Sequence, residues 1–397
     1  MQKAYKLQGK YRHYDWGGNQ FLPELMQEEN VNHLPYAEYW MGAHLSAPSF
    51  IETKEGPKDL SVLIQKAPEI WLGKKIAKKF NNLPYLYKVL DVQDMLSIQV
   101  HPSKENAIIG FNKEQQLGIA LEAPHRNYKD NNHKPEVMVA LSDFWLLHGF
   151  LAPEILKERL SAYSFTKPLL KFFKGNDYKK LYAYFMQLPT ADSDAILKPL
   201  LEEAKKEVVK GKMTKKSPHW WAHKYYKDGV PSKNIDKGIF SIYILNIVNI
   251  AKYQGIFQGA GILHAYLEGQ NIELMANSDN VLRGGLTSKH VDVNELMQHV
   301  HFIPTQPKII KGKNINELEI NYSCPVPDFG LTKIVIKGGD HYTISTHSLE
   351  ILLVLEGEII IENQLYSKGE AVLLVPSAKV KIKAKLDTII FRSFVPK

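Results

Sequence analysis

The feature that most constrains the fold is a change of pattern along the chain, from strand-like to helix-like and back. Between about residues 60 and 150, short apolar runs such as LPYLYKVLDV and MLSIQVH alternate with Gly, Asn and Pro clusters, which is typical of strands and turns. From about 151 to 230, apolar residues recur at helical spacing between Pro and Gly stops. β-branched residues dominate again after residue 239, most strongly from 330 onwards. The pattern predicts a mainly β protein with a helical insertion.

The β-rich parts consist of many short strands with turns between them, which favours a closed or double-sheet architecture. The segments IFQGAGILHAY (256–266) and GEAVLLVPSAKV (369–380) are loosely alike, because each runs from a hydrophobic strand into a turn of small residues. This likeness predicts two related β units. The predicted division of the chain is a first unit of residues 1–150 plus 236–315, a helical insertion of 151–235 and a second unit of 316–397.

The two units differ at the end of that turn. The first turn ends in His264, whereas the second ends in Ala378, Lys379 and Val380. The second unit also offers His341, His347 and Glu350, but no later ligand completes that set. A metal is therefore expected in the first unit and not in the second.

Composition narrows the class of protein. The chain has 397 residues, of which 44% are hydrophobic, so it can bury sizeable cores. Its formal charge of +8 would suit nucleic acid, a membrane surface or a phosphorylated substrate, and the sign alone does not choose among them. Lysines and aromatic residues mix within 205–227, but a lysine-rich helix face is usually solvated surface, so no nucleic-acid partner is expected.

The compartment is predicted from cysteine usage and from apolar stretches. Cys324 is the single cysteine and cannot form an intrachain disulfide, which favours a reducing cytoplasm. The N-terminus lacks the apolar core of a signal peptide. The most apolar stretch, residues 239–251, is shorter than the ~20 residues of a membrane span, so a buried element and no membrane partner are expected.

Four side chains could form a metal site. Gln99 and His101 lie two apart in a strand-like run, and this spacing places both on one face. Glu136 and His264 would complete a mixed nitrogen and oxygen set that zinc or another divalent transition metal accepts. With 15 histidines in the chain, a histidine beside a glutamine is more often a surface or core residue, and both interpretations stay open at this point.

Several ordered motifs resemble one family. They are YDWG (14–17), AEYWMGAHLSAPS (37–49), LPYLYKVLDV, LSIQVHPSK, HKPEVMVAL and HAYLEGQNIELMANSDNVLRGGLTSKHVDV. In these blocks the chain resembles the type I mannose-6-phosphate isomerases, a zinc-dependent family of cupin (jelly-roll) β-barrels with a helical insertion. The resemblance implies one Zn²⁺ per chain and the interconversion of mannose 6-phosphate and fructose 6-phosphate.

The resemblance also implies roles for individual residues. As zinc ligands it implies Gln99, His101, Glu136 and His264. As catalytic residues it implies Arg283, Glu273, His133, Lys134 and Asp279. As substrate-binding residues it implies Lys88, Ser97, Lys289 and Tyr266. The chain departs from the family before the last ligand, where Gly259 and Leu263 stand in GAGILHAY in place of prolines, which leaves that loop less rigid.

The implied chemistry needs these residue types. An aldose to ketose isomerisation opens the ring and moves a proton from C2 to C1 through an enediol, while a metal polarises the two oxygens. His133 with Asp279 suits ring opening, and Lys134 or Glu273 suits the proton transfer. The sequence does not rank these residues, and Glu273 could equally pair with a lysine or Asp279 cap a turn.

The 6-phosphate calls for fixed positive charge. The candidates are Arg283, Lys289 and Lys88, with arginine favoured for its planar fork of donors, although Arg283 could instead stabilise the enediolate. A GxxxxGK phosphate loop does not occur, so nucleotide use is not expected. The expected partner is a small sugar phosphate, and the expected assembly is a monomer, with a dimer as the alternative. The competing functions are isomerisation of a different aldose and a non-catalytic cupin that binds sugar or regulates.

Overall fold

The computed structural model describes residues 2–397, which form strands in three sheets together with helices. The strands are β1 Ala4–Gln8, β2 Lys10–Arg12, β3 Glu38–Gly42, β4 Phe50–Thr53, β5 Gly56–Asp59, β6 Tyr85–Val92, β7 Gln99–Val100, β8 Glu136–Ala140, β9 Phe144–Phe150, β10 Leu245–Ile250, β11 Gly255–Gln258, β12 His264–Ala276, β13 Leu282–Arg283, β14 Ile309–Ile310, β15 Lys313–Asn314, β16 Glu319–Tyr322, β17 Gly330–Ile336, β18 His341–Ser345, β19 Glu350–Glu356, β20 Glu358–Ile361, β21 Gln364–Ser367, β22 Ala371–Leu374, β23 Lys379–Ala384 and β24 Thr388–Phe394. The α-helices are α1 Phe21–Met26, α2 Leu60–Lys66, α3 Pro68–Leu72, α4 Lys74–Phe80, α5 Lys104–Gln116, α6 Pro153–Ser161, α7 Tyr178–Gln187, α8 Thr190–Val209, α9 Pro218–Tyr225, α10 Gly238–Ile244 and α11 Val293–His299. Two 3₁₀ segments, Lys167–Phe172 and Lys174–Asn176, separate α6 from α7.

An eleven-stranded sheet contains the candidate site. Its main path runs in the order β14-β11-β8-β12-β6-β3-β2. The long strand β12 also pairs near its start with β7 and β9, which in turn pair with β13 and β10. One strand therefore connects two layers of strands, and side chains from both layers can meet between them.

The second half of the chain builds a nine-stranded and a four-stranded sheet. Their orders are β15-β16-β17-β24-β19-β22-β1-β4-β5 and β18-β23-β20-β21. The early strands β1, β4 and β5 belong to the nine-stranded sheet, and Leu7 of β1 pairs with Ala371 of β22. The chain boundaries predicted from the sequence do not follow this pairing, because the apolar side of β1 is buried in the core shared with the C-terminal strands.

The region of helical spacing does form helices. Helices α6 to α9 and the 3₁₀ segments pack around a separate apolar core that includes Leu156, Tyr182, Phe185 and Trp221. The apolar stretch 239–251 is buried over most of its length, as expected, and it consists of α10 followed by β10. In residues 2–397 none of the helices combines the length and the hydropathy needed to cross a bilayer.

The strand prediction for residues 60–150 is wrong in two places. Residues 60–80 form α2, α3 and α4, and residues 104–116 form α5. The Asp59 side chain caps α2 by accepting from the Ser61 and Val62 amides at 2.8 and 3.2 Å, and Ser103 caps α5 in the same way. Pro68 opens α3. These capping residues outweigh the local turn composition, and they are signals that the sequence contains.

Candidate active site and metal centre

Strands β6, β8 and β12 are neighbours in the eleven-stranded sheet, and their polar side chains meet in a small cavity. In the strand register, Glu273 of β12 lies opposite Lys88 of β6 on one side and Met138 of β8 on the other. The cavity has a volume of about 70 Å³. Its lining residues are Glu38, Lys88, Leu90, Leu96, Gln99, Lys134, Glu136, His264, Ala265, Tyr266 and Glu273.

Three buried side chains converge as a possible metal site. One ligand atom each of His101, Glu136 and His264 lies within 4.8 Å of the others. The two histidine Nε2 atoms are 3.3 and 3.4 Å from the two oxygens of Glu136. Each histidine Nδ1 contacts a backbone carbonyl, that of Asn280 at 2.8 Å and that of Ile262 at 2.9 Å. This outer contact fixes the tautomer and leaves each Nε2 pointing at the centre.

The donor set fits a divalent transition metal. The Nε2 atom of His101 is buried and makes no hydrogen bond within residues 2–397, and an unprotonated imidazole nitrogen in that position suits a metal ion. Burial lowers the pKa of His101 to about 4, so its imidazole stays neutral and can act as a ligand. The fourth predicted ligand, Gln99, lines the same cavity and lies opposite His264 in the strand register.

Lys134 contributes positive charge next to the three ligands. Its ammonium is 3.0 Å from an oxygen of Glu136. Burial alone raises the pKa of Glu136, but Lys134 and His101 outweigh it and the pKa falls well below its ordinary value. Glu136 is therefore a carboxylate, the form that binds metal.

A second polar group occupies the other side of the cavity. The Lys88 ammonium is 3.2 Å from Glu273 and 3.4 Å from Glu38. Burial disfavours the charge on Lys88, but the surrounding carboxylates prevail and raise its pKa, so it remains a fixed cation. The Tyr266 hydroxyl donates to Glu273 at 2.8 Å. Burial raises the pKa of Glu273, so this carboxyl group takes up a proton at a higher pH than an ordinary glutamate does.

Arg283 lies at the edge of this site. It is half-buried and pairs across the β13–β7 ladder with Gln99. Burial lowers its pKa, and its guanidinium forms no salt bridge within the part of the chain that the structure describes. Loss of solvation and the charge of Arg283 lower the pKa of Lys289, and the charge of Glu38 opposes them. Ser97 contacts Gln99, whose amide lies 3.4 Å from its hydroxyl.

His133 and Asp279 do not form the pair that the sequence predicts for ring opening. His133 Nε2 is 3.1 Å from the carboxylate of Asp328, a buried residue just before β17. Asp279 instead lies 3.3 Å from His44 Nε2. Each residue instead contacts a partner that is remote in sequence, Asp328 or His44.

Sequence reasoning did not single out several polar residues of the site. Glu38 and His44 stand in the AEYWMGAHLSAPS motif, where their polar character amid apolar residues is a usable signal. Trp40 donates from its indole nitrogen to Glu38. Asn280 is fully buried, accepts the backbone amide of Lys129 at 2.8 Å, and supplies the carbonyl that orients His101.

Comparison with known proteins agrees with this geometry. A family model described as phosphomannose isomerase type I, catalytic domain, matches residues 4–152. The mannose-6-phosphate isomerase of Salmonella typhimurium is 35% identical over 372 residues, which cover 90% of this chain and 90% of that protein. The Escherichia coli enzyme is 34% identical over 362 residues, with 89% of each chain covered, and the Homo sapiens enzyme is 28% identical over 430 residues, with 98% of each covered.

Solved structures give the same result in three dimensions. The Salmonella typhimurium mannose 6-phosphate isomerase bound to its substrate fructose 6-phosphate and to zinc aligns with a TM-score of 0.86 at 31% identity, covering 100% of both chains. A zinc-bound mannose 6-phosphate isomerase also gives a TM-score of 0.86 at 31% identity, again over 100% of both chains. The chain therefore belongs to the type I mannose-6-phosphate isomerase family.

Proposed function

We propose that this chain is a zinc-dependent isomerase that interconverts mannose 6-phosphate and fructose 6-phosphate. The observation that carries the proposal is a buried His101, Glu136 and His264 group suited to a metal, two of whose members, Glu136 and His264, line a cavity together with Glu273 and Lys88. The similarity to zinc-bound and fructose 6-phosphate-bound relatives supports the choice of metal and substrate. A sugar phosphate is accordingly the proposed small-molecule partner.

His101, Glu136 and His264 would hold the zinc ion, with Gln99 as the fourth proposed ligand. When bound, zinc would polarise the oxygens on C1 and C2 as negative charge develops there. The backbone carbonyls of Ile262 and Asn280 orient the two histidines, and Lys134 keeps Glu136 ionised.

Glu273 is the proposed carrier of the proton between C2 and C1. Glu273 lines the cavity, and its raised pKa suits a group that must take up and return a proton near neutral pH. Tyr266 donates to one carboxylate oxygen, and Lys88 lies beside the other. These contacts hold the carboxylate in one orientation. Lys88, fixed as a cation, would stabilise negative charge on the enediolate rather than remove a proton.

Arg283 and Lys289 are the proposed partners of the phosphate. The guanidinium is partly desolvated and forms no salt bridge within residues 2–397, so the phosphate of a bound substrate would supply the opposite charge. Burial lowers the pKa of Arg283, and burial with the charge of Arg283 lowers that of Lys289, so a bound phosphate would offset the loss of solvation at both groups. His133 and Asp279 remain candidates for ring opening, each acting with its own partner, Asp328 or His44.

The proposed architecture is two related jelly-roll units. Support comes from strand order, because β11-β8-β12-β6-β3-β2 in one sheet corresponds to β22-β19-β24-β17-β16-β15 in the other. The predicted chain division into 1–150 plus 236–315, 151–235 and 316–397 is retained with one change. Strands β1, β4 and β5 are assigned to the C-terminal unit, which is proposed to hold no metal. A monomeric, cytoplasmic protein without nucleic-acid or membrane partners remains the expected biological form.

A product assay tests this function. Purified protein is incubated with mannose 6-phosphate, and fructose 6-phosphate is identified by NMR, alongside a panel of other aldose phosphates and free aldoses. The proposal expects fastest turnover of mannose 6-phosphate. Faster turnover of another aldose would assign a different isomerase, and binding without turnover of any sugar would assign a non-catalytic module.

A further inference from the structure

The loop after β13 carries the two proposed phosphate partners. Arg283 ends β13, Lys289 follows in an exposed stretch, and Gly284 and Gly285 lie between them. Glycine leaves the backbone free to take many conformations. The positions of the two cations therefore depend on the contacts that other parts of the chain make with this loop.

The start of the loop is hydrogen-bonded to the chain around β7. The Gly284 amide donates to the Ile98 carbonyl at 2.8 Å, and the Ile98 amide donates to the Gly285 carbonyl at 3.0 Å. Arg283 pairs with Gln99 in the same ladder. These bonds fix the first part of the loop beside the proposed metal ligand Gln99.

The next part of the loop is held by the carboxylate of Asp236, which lies between the helical insertion and α10. Its Oδ1 accepts from the Leu286 amide at 2.9 Å, and its Oδ2 accepts from the Thr287 amide at 2.9 Å. Oδ1 also accepts from the Gly238 amide at 2.7 Å, which joins the loop to the start of α10. Hydrogen bonds to a carboxylate are roughly twice as strong as those between neutral groups. One side chain thus fixes two consecutive amides of the loop.

Two glycines let the loop and α10 approach closely enough for these bonds. A Cβ atom at Gly285 would lie 2.5 Å from the Cα of Gly238, and a Cβ at Gly238 would meet the Leu286 amide nitrogen. Leu286 itself has a φ of +53°, a conformation that a bulky residue keeps only where surrounding contacts impose it. The loop is therefore held in a shape that it would not take alone.

The fixed amides lead on to Lys289. The Thr287 hydroxyl accepts from the Lys289 amide at 3.1 Å. Asp236 therefore holds the backbone at Thr287, and Thr287 in turn holds the backbone at Lys289. This chain of contacts connects the carboxylate to a cation that it does not itself touch.

Asp236 is anchored on the helices of the insertion. Its backbone amide donates to the Tyr226 hydroxyl at 2.9 Å. The two preceding amides, those of Asn234 and Ile235, donate to the Asp194 carboxylate of α8 at 2.8 and 2.9 Å. Within residues 2–397 the Asp194 carboxylate hydrogen-bonds this segment alone. Asp194 and Asp236 thus hold the same stretch of chain, but only Asp236 holds the loop that carries the cations.

We propose that Asp236 is a positioning residue, whose carboxylate sets the loop between Arg283 and Lys289 so that both cations can meet the phosphate of a bound sugar phosphate. The inference rests on the proposed function, because it takes these two residues as the phosphate partners. It gives the helical insertion a part in substrate binding, since the insertion supports Asp236. A purely structural role would instead lower stability and leave the affinity for phosphate unchanged.

The substitution Asp236→Asn tests this role. It keeps the shape of the side chain but turns one acceptor oxygen into an amino group that faces a backbone amide. Fructose 6-phosphate is titrated into the zinc-loaded protein by calorimetry, and inorganic phosphate is used as an inhibitor of mannose 6-phosphate turnover. The Kd of the sugar phosphate and the Ki of phosphate should each rise about tenfold or more, while zinc content stays at the wild-type value and kcat changes by less than about threefold.

The matched control is Asp194→Asn, which changes a carboxylate on the same segment. It should leave the Kd and the Ki at their wild-type values, whatever it does to the Tm. An unchanged Kd in folded Asp236→Asn, or an equal rise in the control, would overturn the inference. Wild type that binds fructose 6-phosphate but does not turn it over would reject the proposed isomerase and leave this inference standing.

A second pair of variants covers the case in which Asp236→Asn does not fold. Thr287→Val removes the acceptor of the Lys289 amide, and Thr287→Ser keeps it. The Kd of fructose 6-phosphate should rise about threefold or more in the valine variant and return to the wild-type value in the serine variant. Equal Kd values in the two variants would then overturn the inference.

Discussion

In the first unit, Glu273 faces Lys88 across the β12–β6 pair, whereas the same register position in the C-terminal unit holds Arg392 opposite Thr332. In the C-terminal unit the long guanidinium contacts two buried carboxylates, those of Glu350 and Glu319. In the proposed first unit Lys88 and Lys134 contact the carboxylates, and the Nε2 atoms of His101 and His264 face Glu136. One strand position thus carries a carboxylate close to the proposed metal ligands in the first region and an arginine bound to two buried carboxylates in the C-terminal region.

The largest expected effect comes from removing a ligand in the first unit. His264→Ala should lose zinc and at least about a thousandfold in kcat, because a metal contributes several kcal/mol to stabilising developing charge. The far-UV circular dichroism should stay near that of wild type, since the surrounding core is large. Lys379→Ala, at the equivalent position, is the control and should keep zinc and rate. Full activity of a zinc-free His264→Ala protein would reject the metal assignment.

Glu273→Gln is expected to have the next largest effect. Removal of a general base typically costs about a hundredfold to ten-thousandfold in rate, and zinc should remain bound. Because burial raises the pKa of Glu273 and the base must be ionised, wild-type kcat/KM should fall as pH drops through that raised pKa. The variant should lack this acid limb.

The control for that variant is Glu268→Gln on the same strand. Glu268 is ion-paired with Lys215 and Lys224 rather than facing the cavity. Its loss should leave the pH profile unchanged. Equal losses of rate in the two variants would remove Glu273 from the proton transfer.

Arg283→Ala should cost about a hundredfold in kcat/KM while zinc content and Tm stay near wild type. Surface pairing, the alternative role, would contribute only about 0 to 1 kcal/mol, and Arg283 forms no salt bridge within residues 2–397. A rise in KM alone would assign the residue to phosphate, and a fall in kcat alone to the enediolate. Changes below about threefold in both parameters would exclude either role.

The smallest effect is expected in the C-terminal unit. His347 is the proposed counterpart of His101, and within residues 2–397 its ring hydrogen-bonds only the carbonyl of Val395. The substitution His347→Ala removes this ring. Zinc content, kcat and KM should all stay within about twofold of wild type. A metal content that falls on this substitution would show that the second unit binds metal after all.

The sequence predicted the residues whose chemistry is local and missed those whose role depends on distant contacts. The strand spacing of Gln99 and His101, together with motif resemblance, pointed to the cavity that the structure forms with Glu136 and His264. The partners Asp328 of His133 and His44 of Asp279 could not be predicted, because they lie about 200 residues away along the chain and no spacing rule connects them.

Fold prediction had the same limit. Helical spacing in 151–235 predicted the insertion, but the assignment of β1 to the C-terminal sheet is a long-range pairing that local pattern does not contain. The helices at 60–80 were predictable from Asp59 and Pro68, whose capping signals should have outweighed the turn-like composition.

A zinc titration of the chelated wild-type protein tests the central claim most directly. The rate of fructose 6-phosphate formation is measured as zinc is added stepwise to a known concentration of chain. The account predicts no activity without metal, a linear rise, and a plateau at one zinc per chain, since the His101, Glu136 and His264 group supplies one site. Activity that survives complete chelation, or that rises until two zinc ions are bound per chain, would contradict it.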